Sequence, residues 1–391
     1  MKILFWMFIG FDQHSTSEHL LSAVLEQLCK KGHKVHLIQK NTGGDLPPIP
    51  CNLKKYRITT TQIPYKSVDK NNFVARYLNE IRYVNNCCKA MHKNYDAVFI
   101  QSTTVAGFAV KAVRKKNPKA AITLNVQDIF PYNAVYSGSL KKDSIKFKVL
   151  AAIQRYAYNK SKHIITISED MRDLLIEDGT PAKKINVVYN WSYQDDPYEN
   201  LDLSSVSYMF DKDYFNVVYA GNIGVMQNVD LIIEAAKIMK KDKSVWFHII
   251  GDGVYKEKLI AKASKYGIGN ITFWPMQPPE LAPAIYKSAD INIIPLVKNV
   301  YRTALPSKTA TCLACGKPII FAIGTNSKFG KKISKETDCF VVESNNVYEF
   351  ADAVKNIMDM NSISKKSHYY FEHFQKTENS CKYAKIIVDK R

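Results

Sequence analysis

The segment RTALPSKTATCLACGKPII, residues 302–320, contains a helix start, a helix stop and the strand that follows, in the order typical of an α/β protein. Pro306 is tolerated in the first turn of a helix, and the Ser307 side chain can accept a hydrogen bond from a free N–H group there. Gly316 and Pro318 end the helix before the apolar residues that close the segment. The segment therefore predicts a helix that leads into a buried strand.

Two cations lie beside this predicted helix start. Arg302 precedes the helix and Lys308 falls in its first turn, where the helix dipole and unpaired N–H groups favour an anion such as a phosphate. In the alternative interpretation the segment is a short amphipathic helix feeding a strand, and both cations are ordinary surface residues. The segment alone does not choose between the two.

The same order of strand, glycine turn and helix recurs along the chain. An apolar run at 3–9 ends at Gly10, a second run at 215–219 leads into AGNIG, and a third at 245–250 leads into GDG. Segments with helical periodicity alternate with such runs. This alternation predicts an α/β protein built from Rossmann-like, doubly wound parallel sheets.

The length of 391 residues is too great for one core and indicates two domains. We predict an N-terminal domain at 1–190, a polar linker at 191–213 and a C-terminal domain at 214–361. The tail at 362–391 is expected to be helical and to pack back on the N-terminal domain.

The chain is strongly basic, with a formal net charge of +19. Residues 1–190 carry 29 Lys or Arg against 14 Asp or Glu, so most of the excess lies in the first half. Such a charge favours a polyanionic partner: nucleic acid, an acidic membrane surface or a phosphorylated substrate. A nucleic-acid-binding protein is the less favoured alternative, because the cations are spread over many segments and no zinc-finger, RNA-recognition or winged signature is present.

Two basic clusters stand out in the first half. One combines Lys111, Arg114, Lys115, Lys116 and Lys119; the other combines Lys141, Lys142, Lys146 and Lys148 beside the apolar residues Val149, Leu150 and Ile153. Both clusters are candidates for docking on an anionic membrane. Ordinary solvated helix faces are the alternative.

The eight cysteines are scattered without the spacing of a secreted disulfide framework, which is typical of reduced cytosolic thiols. Cys312 and Cys315 form a CxxC pair, but no second pair accompanies it, so we predict no metal site. The apolar run that opens the chain is too short to span a bilayer. We therefore expect a cytoplasmic protein that attaches to the membrane face peripherally.

The glycine turns narrow the class of ligand. AGNIG lacks the GxGxxG spacing of dinucleotide-binding folds, and the chain has no GxxxxGK[ST] motif, so nicotinamide cofactors and nucleoside triphosphates are disfavoured. The class of ligand that remains is a small molecule that carries phosphate and is bound mainly by the second half of the chain.

Seven segments together resemble the family 4 glycosyltransferases of the GT-B fold. They are GHKVHLI (32–38), NVQDIFP (125–131), ISEDM (167–171), VVYAGNIGVMQNVDLIIEAA (217–236), FHIIGDG (247–253), ADINIIPL (289–296) and LPSKTATCLACGKPII (305–320). The resemblance implies transfer of a sugar from a nucleotide donor, with retention at the anomeric carbon and without a required metal or cofactor. It places the donor in the second domain and the acceptor in the first.

The resemblance also implies residue roles on the donor side. Gly221, Asn222 and Gly224 would face the diphosphate, Gly251, Asp252 and Gly253 the nucleoside, and Trp274, Pro275 and Met276 the base, while Ser307, Lys308 and Thr311 belong to the donor segment. Two departures from the family pattern stand out. Thr303 and Thr311 replace a Glu-x7-Glu pair, and Asn222 and Gln227 replace a basic pair. Arg302 and Lys308 are therefore the candidates that neutralise the leaving diphosphate, and we assign both a catalytic role.

On the acceptor side, Asp128 follows a predicted strand and is the candidate that positions or deprotonates the acceptor hydroxyl. A turn-forming aspartate is the alternative. Gly10, His14 and His19 flank the first loop and complete the acceptor-side set, although a solvated histidine at a helix start is equally compatible with the pattern.

Together with the residue pattern, the resemblance implies a retaining glycosyltransferase that moves a hexose or N-acetylhexosamine from a UDP-linked donor. The acceptor is a lipid-linked saccharide in the synthesis of a surface polysaccharide such as capsule, O-antigen of lipopolysaccharide or exopolysaccharide, at the anionic inner leaflet of the membrane. A nucleotide-sugar epimerase of the same architecture is the enzyme alternative. It would need carboxylates and a histidine converging on the sugar, and the pair Thr303 and Thr311 offers neither.

Overall fold

The computed structural model describes residues 1–12, 17–44, 49–68, 72–101, 103–360 and 368–389. The chain forms two compact units. Unit 1 comprises Met1–Val135, Leu140–Asn190 and Lys376–Arg391, and unit 2 comprises Tyr136–Ser139 and Trp191–Gln375.

Unit 1 contains a parallel sheet of seven strands, in the order β3-β2-β1-β4-β5-β6-β7. The strands are β1 (Lys2–Trp6), β2 (Lys34–Asn41), β3 (Ile58–Pro64), β4 (Ala97–Ile100), β5 (Ala121–Val126), β6 (His163–Thr166) and β7 (Ile185–Val187). The helices between them are α1 (Glu18–Lys30), α2 (Phe73–Ala90), α3 (Ala106–Lys116), α4 (Tyr132–Tyr136), α5 (Ile145–Lys160) and α6 (Glu169–Glu177), with 3₁₀ turns at Cys51–Leu53 and Ala182–Lys184.

Unit 2 contains a parallel sheet of six strands, in the order β10-β9-β8-β11-β12-β13. The strands are β8 (Phe215–Ala220), β9 (Val245–Ile250), β10 (Ile271–Trp274), β11 (Ile291–Pro295), β12 (Ile319–Ala322) and β13 (Phe340–Val342). The helices are α7 (Asp230–Ile238), α8 (Lys256–Lys265), α9 (Ala282–Ser288), α10 (Lys308–Ala314), α11 (Lys328–Glu336), α12 (Val347–Met358) and α13 (His368–His373). 3₁₀ turns occur at Ser204–Met209, Val225–Gln227, Pro279–Leu281 and Val300–Arg302.

The strand orders confirm the predicted doubly wound organisation. In each sheet the first strand lies centrally, and the direction of winding reverses beside it, between β1 and β4 in unit 1 and between β8 and β11 in unit 2. Strands such as β4 and β12 are buried at every residue, as their unbroken apolar sequences predict. In open sheets of this kind, ligands bind outside the carboxyl ends of the strands at the point of reversal.

The segments predicted as linker and tail are structured where they are described. Residues 191–213 belong to unit 2, and Val206 and Met209 in the 3₁₀ turn of this segment are buried. In the tail, residues 362–367 lie outside the described residues, α13 belongs to unit 2, and a last helix, α14 (Lys376–Val388), belongs to unit 1. The Tyr383 hydroxyl of α14 donates to the Asn125 side chain of β5 at 3.2 Å.

The segment at 302–320 has only part of the predicted structure. Helix α10 has seven residues and ends before Gly316, whose N–H donates to the Leu313 carbonyl at 3.0 Å. Ser307 stands at the N-cap, but its side chain makes no capping hydrogen bond, so the predicted side-chain cap is wrong. A helix of two turns has few aligned peptide dipoles, and we therefore assign no anion-binding role to its end.

No helix in the described ranges is both long enough and apolar enough to cross a membrane.

Candidate functional site

The Lys308 amine is the most unusual charged group of unit 2. Its Nζ atom is buried and has no hydrogen-bond partner among the described residues. It lies 3.7 Å from the centre of the Tyr219 ring, in the geometry of a cation–π contact. Burial lowers the pKa of this ammonium group to about 8. A cation held without a counter-charge is ready to receive an anion.

The loop that follows β8 approaches this amine closely. A β-carbon added to Gly221 would lie 3.0 Å from Lys308 Nζ, and Gly221 adopts φ +143°, which side chains rarely tolerate. Because Gly221 has no side chain, the loop backbone can lie close to the Lys308 amine at the carboxyl end of the central strand β8. That is the place at which the fold positions a ligand.

A second glycine loop packs directly on the first. The Gly221 N–H donates to the Ile250 carbonyl at 2.9 Å, and the Ile223 N–H donates to the Asp252 carbonyl at 2.7 Å. A β-carbon on Gly251 would lie 1.9 Å from the Gly221 carbonyl oxygen. Because these two N–H groups already donate to carbonyls, they are not available to a phosphate. The Lys308 charge therefore becomes more important for binding a phosphate at this place.

This close packing predicts a stability effect. Replacing Gly251 by alanine would force a methyl group into the Gly221 carbonyl and a side chain onto φ +148°, so we expect a loss of about 2–4 kcal/mol in the free energy of unfolding. Urea denaturation measures it. The matched control is Gly269→Ala, whose β-carbon would meet nothing within 4 Å. Equal stability of the two variants would contradict the packing of the loops.

Three residues of this site were not found from the sequence. Tyr219 lies beneath Lys308, and its hydroxyl donates to the Asn222 carbonyl, which links the amine to the loop. The Tyr286 hydroxyl donates to the Ala220 carbonyl at 3.1 Å. Lys256 Nζ donates to the carbonyls of Gly251 at 2.8 Å and Trp274 at 3.0 Å. No signal in the sequence pointed to Tyr219, because β8 is buried from Asn216 to Ala220 and shows no alternation that would distinguish this residue from its neighbours.

The other predicted donor residues lie around the two loops. Exposed Asn222 donates to Gln227 Oε1 at 3.3 Å, and a β-carbon on Gly224 would lie 2.7 Å from the same oxygen. The Asp252 carboxylate is exposed and accepts from the Gly253 N–H at 2.8 Å.

The residues predicted to wall the base lie at and beyond the end of edge strand β10. The Trp274 indole donates to His248 Nδ1 at 3.1 Å, while Pro275 and Met276 are exposed. The Gly251 N–H donates to the Trp274 carbonyl at 3.3 Å, which ties the end of β10 to the GDG loop.

The two threonines that stand in place of glutamates are buried. The Thr303 hydroxyl donates to the Val300 carbonyl at 2.9 Å, so it is occupied within its own turn. Thr311 lies inside α10, and Ser307 at the start of that helix is exposed. Arg302 ends the 3₁₀ turn after β11 and is partly exposed.

In unit 1, Asp128 lies between β5 and α4, and its side chain is exposed. Desolvation by the surrounding protein raises the pKa of its carboxyl group, and access to solvent limits the size of that rise. The next residues, Ile129 and Phe130, are buried, and a cis bond joins Phe130 to Pro131. The fold therefore presents a carboxylate at the end of a strand on an anchored loop.

The first loop of unit 1 is only partly described. Gly10 is buried, and a β-carbon there would lie 2.1 Å from Asp12 Oδ1. His19 lies in the first turn of α1 and is partly exposed. His14, which we predicted on the acceptor side, lies outside the described residues. Within the described ranges, no three His, Cys, Asp or Glu side chains converge in a way that could hold a metal ion.

Two family models match the chain over most of its length. The model described as Glycosyltransferase Family 4 matches residues 17–191, and the model described as Glycosyl transferases group 1 matches residues 203–374. The two matches fall on successive parts of the chain, as the doubly wound sheets do. The two matched models and the two doubly wound sheets together place the chain in the GT-B fold class of the glycosyltransferase families. The chain belongs to the family 4 glycosyltransferases, which confirms the resemblance found in its motifs.

Individual proteins resemble the chain at lower identity. Pseudomonas aeruginosa WbjE, named as a probable glycosyltransferase, is 24% identical over 216 residues, which cover 54% of this chain and 53% of WbjE. Escherichia coli K12 WcaI, named for colanic acid biosynthesis, is 27% identical over 188 residues, which cover 47% and 46%. The chain thus spans about half the length of these curated relatives. The crystal structure of Anabaena HepE in complex with UDP and glucose has a TM-score of 0.68 at 13% identity, with 98% of each chain covered.

Proposed function

We propose that this protein is a retaining glycosyltransferase that moves a hexose or N-acetylhexosamine from a UDP-linked donor to a lipid-linked saccharide. The observation that carries the proposal is the buried Lys308 amine, which has no hydrogen-bond partner among the described residues and faces the Gly221 backbone. The UDP bound in Anabaena HepE, a protein of the same fold, supports the choice of donor.

The proposed chemistry follows from charge. When the bond between the anomeric carbon and the diphosphate breaks, negative charge grows on the leaving nucleoside diphosphate. Lys308 meets that charge from a preorganised, desolvated position, which is where electrostatic stabilisation is strongest. Arg302 acts as the second cation and serves mainly while the bond breaks. Both assignments rest on the side chains of the protein and need no metal ion.

Asp128 of unit 1 serves the acceptor in this proposal. Its exposed carboxylate can accept the proton of a sugar hydroxyl or orient that hydroxyl for attack. The acceptor belongs to a surface polysaccharide, and the name of the relative WcaI, which refers to colanic acid biosynthesis, supports this choice.

A donor panel tests the proposal. The purified protein is incubated with UDP- and GDP-linked hexoses and N-acetylhexosamines, and binding and slow donor hydrolysis are measured. We expect saturable binding and hydrolysis of one UDP-sugar. Saturable binding of a GDP-sugar alone would overturn the UDP assignment, and binding of no nucleotide sugar would overturn the proposal.

The Lys308 pKa predicts a pH dependence of UDP binding. The amine is charged below its pKa of about 8 and neutral above it, so the binding-competent fraction falls as pH rises. At pH 9 about a tenth of the free protein carries the charge, and we expect affinity for UDP about tenfold below that at pH 7. Calorimetry in buffers of different ionisation enthalpy should show proton uptake on binding near pH 8. A constant affinity between pH 7 and pH 9 would contradict the role of this amine.

A further inference from the structure

Polar side chains of unit 1 form a hydrogen-bonded network beside Asp128. Its members are Asn125 of β5, Gln127 in the loop after that strand, Asn190 after β7 and Tyr383 of α14. All of them are at least partly buried, and Tyr383 is only 2% exposed. Asn190 is the last residue before the chain passes from unit 1 to unit 2, and α14 begins where the chain returns. The network therefore joins distant parts of the chain within unit 1.

The network holds the side-chain amide of Gln127. Gln127 Nε2 donates to Asn125 Oδ1 at 2.8 Å and to the Tyr383 hydroxyl at 3.2 Å. Asn190 Nδ2 donates to Gln127 Oε1 at 2.8 Å. The Tyr383 hydroxyl in turn donates to Asn125 Oδ1 at 3.2 Å, which closes a ring of hydrogen bonds. Both N–H groups and the oxygen of the Gln127 amide are thus engaged, so this side chain is held in one orientation.

Packing alone does not call for these residue types. Amides and a hydroxyl lose their hydration when they are buried, whereas apolar side chains of the same volume would fill the space without that cost. A hydrogen-bonded network, by contrast, makes this part of the protein rigid and fixes directions in space. The network is therefore better explained by what it holds in place.

Gln127 is joined directly to Asp128. The Asp128 carboxylate has no hydrogen-bond partner among the described residues, so its position depends on the backbone on either side. On one side Ile129 and Phe130 are buried, and on the other side the network holds Gln127. Adjacent Cα atoms are about 3.8 Å apart, so a shift of Gln127 moves Asp128 with it. A misplacement of about 1 Å in a reacting group can cost on the order of 100-fold in rate.

We infer that Gln127 and Tyr383 are positioning residues, which hold the Asp128 carboxylate where it meets the hydroxyl of the acceptor. The role of Asp128 rests on the proposed function, whereas the hydrogen bonds around Gln127 do not. Helix α14, the last of the chain, thereby takes part in transfer, because it supplies the hydroxyl that bridges Gln127 and Asn125.

Hydrolysis of the UDP-sugar that the donor panel identifies is the probe reaction, because water takes the place of the acceptor hydroxyl and must also lose a proton. Tyr383→Phe keeps the ring and removes the bridging hydroxyl, so we expect kcat about tenfold below that of the parent. Gln127→Met keeps the length of the side chain but cannot form the bonds of the amide, and kcat should fall on the order of 100-fold. UDP affinity should stay within about twofold of the parent in both variants, because the residues proposed to hold the donor belong to unit 2.

A double-mutant cycle separates positioning from a merely structural role. In the Asp128→Asn protein no carboxylate is left to position, so adding Tyr383→Phe should lower kcat by less than about twofold. Tyr95→Phe is the matched control, since Tyr95 is a buried tyrosine of unit 1 whose hydroxyl accepts from the His92 N–H at 3.2 Å. Tyr95 precedes β4 and so lies at the edge of the sheet opposite to Asp128. Its replacement should leave kcat within about twofold of the parent.

The outcomes distinguish this inference from the proposed function. Slow hydrolysis by Asp128→Asn together with parent rates in Tyr383→Phe and Gln127→Met would overturn the inference alone. A full further loss when Tyr383→Phe is added to Asp128→Asn would also overturn it, and so would an equal loss in Tyr95→Phe. Parent rates in Asp128→Asn would overturn the proposed role of the aspartate, and the inference with it.

Discussion

Replacing Asp128 by asparagine is expected to slow sugar transfer by about 10²- to 10⁴-fold and to leave donor affinity nearly unchanged. Asparagine keeps the shape of the side chain but cannot accept the proton of the acceptor hydroxyl. Asp128 is exposed after the end of β5 in unit 1, whereas the residues proposed to hold the donor belong to unit 2. Initial rates with saturating donor measure the first effect, and UDP titration measures the second.

Asp143→Asn is the matched control for this prediction, because Asp143 is exposed in the same unit and the substitution removes the same charge. Its transfer rate should stay close to that of the parent. Full transfer activity in Asp128→Asn would show that the aspartate only shapes its turn.

Lys308→Ala is expected to weaken binding of the nucleotide sugar by about ten- to a hundredfold, since a charge-assisted phosphate contact contributes about 1.5–3 kcal/mol. The buried amine has no hydrogen-bond partner in the described part of the chain, so its removal breaks no protein–protein hydrogen bond seen there. Equilibrium dialysis with the donor identified by the panel measures the effect.

Arg302→Ala should lower turnover more than affinity, because its charge is needed as the bond breaks.

Lys317→Ala controls for the loss of a positive charge. Lys317 follows α10 at its far end, nine residues from Lys308, and is partly exposed. Its replacement should change donor affinity by less than about twofold. A similar loss in both variants would mean that general charge, rather than this one contact, attracts the donor.

The sequence was sufficient to predict the architecture. Strands such as β4 and β12 are buried on both faces, so their apolar runs are unbroken, and glycine turns mark the ends of β8, β9 and β12. These are local signals that can be recognised in the sequence without knowledge of the tertiary structure. The positions of the donor loops could be predicted from these signals, because the ends of the central strands in such a sheet meet at one edge.

The details of the donor site depend on packing that the sequence does not display. Tyr219 reads as one more apolar residue of β8, yet its ring lies beneath the Lys308 amine. Lys256 reads as a surface lysine, yet it bonds two carbonyls. Ser307 occupies the position of a cap without acting as one.

The role of the cations in the two basic clusters also depends on packing that the sequence does not display. Both clusters look alike in the sequence, but Arg114 donates to the carbonyl of Ala120 just before β5 and to that of Lys160 at the end of α5, while Lys141 and Lys142 stay exposed. Which cations remain available is decided by the contacts of each helix. Composition gave the charge, and only the fold showed where it can act.

The most direct test of the donor site is a calorimetric cycle with UDP and uridine on the parent protein and on Lys308→Ala. If Lys308 holds the diphosphate, UDP binds the parent at least about tenfold more tightly than uridine does, and Lys308→Ala removes most of that difference while uridine binds both proteins equally. An advantage of UDP over uridine that survives in Lys308→Ala would contradict the account, because the diphosphate would then be held elsewhere.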